Sequence, residues 1–218
     1  MKKDEIIKKT KEFVKGKLFG EGSGHDWWHV WRVWQLAKQI GQKEKADLFI
    51  IELAALLHDV ADWKFQDKFD DTVGPMVAKE WLESLHVDSI TVSKITQIIK
   101  EASFKGMGVV DRPNSIEGMI VQDADRLDAM GAIGIGRTFA YGGYKQREMY
   151  NPKIKVKMAK NFEEYKKAEQ TTINHFYEKL LLLRDRMNTK TGKKLATKRH
   201  RFMRLYLKEF FDEWKGRS

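Results

Sequence analysis

Apolar residues recur every three or four positions along most of this chain, which is the spacing of one face of a helix. Residues 45–60 depart from that pattern because they are nearly all apolar. A helix that is apolar on every side is usually buried, so this one is predicted to lie centrally. The predicted helices cover residues 4–18, 26–41, 45–60, 72–85, 88–102, 161–187 and 196–215.

Local signals refine this picture. Asp26 is a predicted N-cap for the second helix, and Asn114 with Glu117 has the spacing of a capping box for a helix that carries Asp125. Residues 131–160 are rich in Gly, aromatic and basic residues and are predicted to form a long functional loop with short helical pieces. Strand patterns are nearly absent and proline occurs three times. The predicted fold class is therefore all-α.

Composition adds limits on the functional class. A length of 218 residues predicts one domain, and the absence of cysteine excludes disulfides, thiolate metal sites and a cysteine nucleophile. The first residues lack the apolar core of a signal peptide, and no apolar stretch is long enough to span a membrane. The protein is therefore predicted to be soluble and cytoplasmic. Its net charge of +10 favours anionic partners such as nucleotides, polyphosphates or nucleic acids.

Four residues carry the candidate chemistry: His29, the adjacent pair His58 and Asp59, and Asp125. The pair ends the apolar run, where a buried carboxylate is costly unless it is paired or bound to a metal. Two imidazoles and two carboxylates form a suitable ligand set for a divalent ion that keeps positions open for water and substrate. We therefore predict a divalent metal centre.

These motifs resemble a known family. His29-x-x-Arg32-Val33, His58-Asp59 and Ala124-Asp125-Arg126-Leu127 are similar to the signature of the HD superfamily of metal-dependent phosphohydrolases, over roughly residues 25–130. The longer segments 24–30, 124–129 and 137–143 resemble a branch of small bacterial HD hydrolases, some of them nucleotide pyrophosphohydrolases, along nearly the whole chain. The resemblance implies a single HD-type helical bundle over residues 1–218, in which the helices of residues 161–215 complete the pocket.

The resemblance also implies roles for individual residues. His29, His58, Asp59 and Asp125 match the metal ligands, and Asp62, one turn after Asp59, looks like the general acid/base. The alternative for Asp62 is an ordinary ion pair at a helix end. No histidine cluster lies between His86 and Asp125, which favours one metal ion over two. The candidate phosphate contacts are Lys64, His175 and Lys179, with Arg199 weaker, although each alone could be an ordinary surface residue.

The expected activity is hydrolysis of a nucleoside triphosphate to the monophosphate and pyrophosphate. A 5′-nucleotidase-like phosphomonoesterase is the alternative within the enzymes, and a basic nucleic-acid-binding module with a structural metal is a weaker one. The N/O ligand set leaves the ion open among Mn²⁺, Mg²⁺, Co²⁺, Ni²⁺ and Fe²⁺. The expected partner is a small phosphate compound, namely a nucleotide, rather than a membrane or nucleic acid. A homodimer stays open.

Overall fold

The computed structural model describes residues 1–18, 26–60, 72–102, 112–157 and 171–217. Regular structure in these ranges is helical and contains no strand, which confirms the all-α class. None of the helices described is long and apolar enough to cross a membrane. The helices are α1 (Lys3–Leu18), α2 (Trp27–Glu44), α3 (Leu48–Leu57), α4 (Val73–Ser84), α5 (Ser89–Ala102), α6 (Ile116–Asp128), α7 (Gly131–Tyr144), α8 (Thr172–Glu178), the 3₁₀ helix Leu180–Arg186 and α9 (Lys190–Trp214).

The chain forms two compact units. The first contains α1 to α5 and α6 as far as Asp125, and the second contains the end of α6 from Arg126 onwards with all later helices. The organisation of residues 1–218 as one domain stays a prediction.

The first unit is built around α3, as its apolar sequence predicts. Every residue from Ile50 to Leu57 is buried, and α1, α2 and α5 pack against this helix. The Asp47 side chain caps it by accepting from the backbone N–H groups of Phe49 and Ile50. Full burial of one large apolar side chain contributes roughly 1.5–3 kcal/mol, so α3 is a strongly held support. His58 and Asp59 follow directly at its end.

The second unit is organised by α9, which packs on α7 and on the 3₁₀ helix. Its Tyr206 stacks on Phe176 and meets the edge of Phe139, so rings from three helices form one apolar contact. The prediction of a loop for residues 131–160 is wrong for its first half, because Gly131–Tyr144 is helical. Glycine has low intrinsic helix propensity, but buried Gly134, Ile135 and Gly142 pack closely, and tertiary packing outweighs that propensity.

Two other predicted boundaries change. The predicted helix 161–187 is interrupted within its described part, because α8 ends at Glu178, Lys179 takes a non-helical conformation and a 3₁₀ helix follows. The capping box at the start of α6 is also wrong. The Ser115 hydroxyl accepts from the N–H of Gly118, while the Asn114 amide donates to Glu101. A neighbouring serine at the right position therefore caps the helix.

Candidate metal centre

The first unit brings together the four residues that the sequence singled out. His29 lies in the first turn of α2, where Asp26 caps the helix by accepting from the His29 N–H at 3.0 Å. His58 and Asp59 follow α3, and Asp125 lies in the last turn of α6. Three helix ends thus supply the polar side chains, and the predicted N-cap at Asp26 is confirmed.

The donor atoms lie close together. His29 Nε2 lies 3.2 Å from Asp59 Oδ2, 3.4 Å from Asp125 Oδ1 and 3.4 Å from His58 Nε2. His58 Nε2 lies 3.5 Å from Asp59 Oδ2 and 4.0 Å from Asp125 Oδ1. One donor atom each from His29, His58 and Asp125 lies within 4.8 Å of the others. Neighbouring ligand atoms around one divalent ion are roughly 3 Å apart when bonds are about 2.1 Å, so this spacing fits an ion.

A backbone contact orients one imidazole. His58 Nδ1 lies 2.8 Å from the carbonyl oxygen of Ala55, which can accept only from a protonated nitrogen. In neutral His58 the proton is therefore on Nδ1, and Nε2 presents a lone pair toward His29 and the carboxylates. Fixing the tautomer in this way is a common feature of metal-binding histidines.

The side chains of the site differ in how far they are exposed to solvent. His29 is completely buried and the His58 side chain is 4% exposed, whereas Asp125 is 36% exposed. The two imidazoles are therefore shielded from solvent, and solvent reaches the site at the carboxylate of Asp125. Nitrogen and carboxylate donors that converge with one accessible side could hold a divalent ion and leave room for water or a phosphate oxygen.

The remaining predicted site residues do not all fall within the described structure. Asp62 and Lys64 lie outside the described residues, so their roles stay predictions. Lys179 follows the last residue of α8, and His175 lies in the middle of that helix, in the second unit. Their predicted contacts with phosphate stay predictions.

The surroundings of His175 determine the charge of its imidazole. Burial, followed by the positive charges of Lys179 and Arg147, lowers the pKa of His175 from 6.5 to about 3. The imidazole is therefore neutral at pH 7 and can donate or accept a hydrogen bond, but it adds no positive charge. Positive charge in this part of the second unit comes from Lys179 and Arg147 instead.

The sequence interpretation did not include Glu178, which is buried one turn after His175. Its Oε1 accepts from the Lys157 N–H at 3.5 Å, and no group of the described structure bonds its Oε2. Burial raises the pKa of Glu178, partly opposed by that N–H and by Arg147. The only sequence signal is its i+3 spacing from His175, and such pairs are common on helices.

Arg199, the weaker phosphate candidate, has a different partner. Its Nη1 donates to the carbonyl oxygen of Leu127 near the end of α6. Nearby, Asp128 accepts from Arg137 Nη1 at 2.6 Å. These arginines thus bind the protein's own backbone and carboxylates.

Comparisons with known proteins agree with this site. The model of the HD domain family matches residues 27–130, which include all four donor residues. The protein YpgQ of Bacillus subtilis is 40% identical over 217 residues, covering 99% of this chain and 97% of YpgQ.

Solved structures extend the likeness to the fold. An HD-superfamily hydrolase from Bacillus thuringiensis has a TM-score of 0.77 and 44% identity, covering 98% of this chain and 99% of its own. The crystal structure of Bacillus subtilis YpgQ in complex with ADP has a TM-score of 0.77 and 36% identity, covering 98% and 97%. With the family motif, the donor geometry and nearly complete coverage in agreement, the chain belongs to the HD superfamily of hydrolases.

Proposed function

We propose that this protein is a metal-dependent phosphohydrolase that converts nucleoside triphosphates to the monophosphate and pyrophosphate. The observation that carries the metal-dependent part is the convergence of His29, His58, Asp59 and Asp125 donor atoms within the first unit. Two imidazole and two carboxylate ligands suit Mn²⁺, Mg²⁺, Co²⁺, Ni²⁺ or Fe²⁺. One such ion per chain is the proposal.

The proposal that the substrate is a nucleotide has separate support. A relative that matches this chain along almost its full length, YpgQ, has been crystallised with ADP. The net charge of +10 also favours a substrate with several negative charges. A triphosphate offers three phosphoryl groups to such cations, whereas a monophosphate offers one.

Each residue of the proposed site has a separate proposed role. A divalent ion bound by this set lowers the pKa of water and offsets charge on a phosphoryl oxygen. His29 and His58 orient their Nε2 atoms, and the backbone carbonyl of Ala55 keeps the His58 proton on Nδ1. Asp62 is proposed to take the proton of the attacking water, and the proposed phosphate contacts are Lys64, Lys179 and the neutral His175. Cationic donors aimed at the phosphate oxygens stabilise the charge that develops during attack.

The second candidate is a 5′-nucleotidase-like phosphomonoesterase, which the same metal centre could serve. A nucleotide in a relative's structure fits either activity, because both act on nucleotides. A nucleic-acid-binding role is weaker, and it predicts binding that falls steeply with salt concentration. The cytoplasmic location and a homodimer stay predictions.

Product identity separates the two enzyme activities. The purified protein is incubated with nucleoside tri-, di- and monophosphates in the presence of each divalent ion, and products are resolved by chromatography. Monophosphate and pyrophosphate from triphosphates support the proposal. Nucleoside and orthophosphate from monophosphates, without triphosphate turnover, would assign the 5′-nucleotidase activity. Loss of all turnover with a chelator, restored by one ion, would confirm metal dependence.

A further inference from the structure

The last turn of α6 carries Asp125, three residues before the helix ends at Asp128. Carbonyl groups in the last turn of a helix lack partners within the helix, and helix ends fray. A carboxylate in such a turn is held in place only as well as the turn itself. The position of Asp125 therefore depends on the groups that bind the end of α6.

Arg199 binds this helix end directly. Its Nη1 donates to the carbonyl oxygen of Leu127, two residues after Asp125, and the Met130 N–H donates to the same oxygen at 3.0 Å. A guanidinium remains charged in proteins, and a cation near the C-terminus of a helix is favourable because the helix dipole is negative there. Arg199 thus supplies both a hydrogen bond and a favourable charge to the last turn of α6.

The turn also fixes the aliphatic part of Arg199. α7 begins at Gly131, whose φ of +75° favours glycine. A Cβ at this position would lie 3.0 Å from Cγ of Arg199 and 3.2 Å from its Cβ. The arginine stem therefore packs directly on the glycine backbone, next to the carbonyl that its guanidinium binds.

Asp128 adds a second attachment at the same helix end. Its side chain is 1% exposed and accepts from Arg137 Nη1 at 2.6 Å. Asp128 follows Asp125 by three residues, so the two carboxylates share a helix face. A buried ion pair with one partner removed is strongly destabilising.

We propose that Arg199 is a positioning residue for Asp125. By holding the Leu127 carbonyl it keeps the last turn of α6 closed, and so keeps Asp125 Oδ1 within 3.4 Å of His29 Nε2. The inference deepens the proposed function, since it rests on the metal centre. It also assigns a role to an arginine that the sequence suggested as a phosphate contact.

The test is Mn²⁺ binding, measured on the purified full chain by the loss of the electron paramagnetic resonance signal of free Mn²⁺. Arg199→Met removes the donor and keeps much of the stem. Arg201→Met, an exposed position on the same helix, is the matched control. Arg199→Met is expected to weaken Mn²⁺ binding by roughly 10- to 100-fold, the usual effect of removing a group that supports a ligand. Arg199→Lys should recover part of the affinity, because lysine can donate one hydrogen bond to the carbonyl.

The melting temperature of the metal-free variants separates positioning from general stability. If Arg199→Met melts lower than Arg201→Met but binds Mn²⁺ equally well, the positioning role is overturned. If Arg199→Met does not fold, Arg199→Lys is used instead, and it must bind Mn²⁺ more weakly than the wild type for the proposal to stand. Wild-type protein that binds no Mn²⁺ overturns the metal centre itself, whereas wild-type binding with unchanged variants overturns only the role of Arg199.

Discussion

His58 in the first unit and His175 in the second have opposite electrostatic surroundings. The His58 Nε2 atom faces His29 and the carboxylates of Asp59 and Asp125. His175 is influenced by the cations Lys179 and Arg147, which together with burial lower its pKa to about 3. The first arrangement suits a bound cation, and the second keeps the imidazole neutral among positive charges. The same residue type thus supports different chemistry because its neighbours differ.

The largest expected effect comes from Asp59→Ala, which removes a carboxylate from the first arrangement. A bound ion would lose one ligand and a negative charge that offsets its own positive charge. The metal should therefore be lost and turnover abolished. The fall in metal affinity and in activity should exceed the roughly 10- to 100-fold that is typical when a residue supporting a metal ligand is removed. Mass spectrometry measures the metal content, and phosphate release measures the turnover. Asp212→Ala, which removes a carboxylate from a surface pair with Lys208, is the control; full metal content and activity in Asp59→Ala would refute the site.

Asp62→Asn tests whether proton transfer and metal binding are separate functions. Asparagine matches aspartate in shape but cannot accept the proton of the attacking water. Metal content should be unchanged, and the rate should fall on the order of 10²- to 10⁴-fold, as expected for a general acid/base. Asp59→Asn, which alters a ligand, serves as the contrasting variant and should lose metal. An unchanged rate would show that Asp62 does not take part in proton transfer.

The depressed pKa of His175 predicts a pH dependence of stability. The unfolded chain protonates His175 near pH 6.5, whereas the folded protein does so only near pH 3. Stability linked to His175 is therefore fully present above pH 6.5 and is lost as pH falls from 6.5 toward 3. At pH 5 the loss is about 2 kcal/mol. Denaturant unfolding of wild-type and His175→Gln protein between pH 5 and 8 measures it, and a glutamine variant with the same slope as wild type would contradict it.

The smallest effect is expected from Lys179→Ala. Removing one cationic contact to the phosphates should raise KM for a triphosphate about tenfold, which corresponds to the lower end of the roughly 1.5–3 kcal/mol that a hydrogen bond to a charged group contributes. Metal content should not change, because Lys179 is not among the proposed ligands. Steady-state kinetics with tri- and monophosphates measure the effect. Lys194→Ala, exposed on α9, is the control, and equal KM values for the two variants would remove Lys179 from the substrate site.

Much of the fold followed from periodicity. The segment around α3 was predicted to be a central buried helix, and its residues from Ile50 to Leu57 are buried between neighbouring helices. The prediction of a loop for residues 131–160 was wrong for its first half. That prediction followed intrinsic propensity, which disfavours a glycine-rich helix. Close packing of α7, as at Gly142, where an added Cβ would lie 2.3 Å from the Thr172 hydroxyl oxygen, cannot be read from local sequence.

The sequence by itself determined the candidate donor set and the helical class, because both depend on residue type and short-range spacing. His29, His58, Asp59 and Asp125 were identifiable as a set, and the structure places their donor atoms close together. Only the tertiary structure decided the proton position on His58, the neutral state of His175 and the attachment of Arg199 to Leu127. These properties depend on burial and on partners that lie on other turns or other helices. Their energies come from desolvation and geometry in three dimensions, which residue spacing along the chain does not specify.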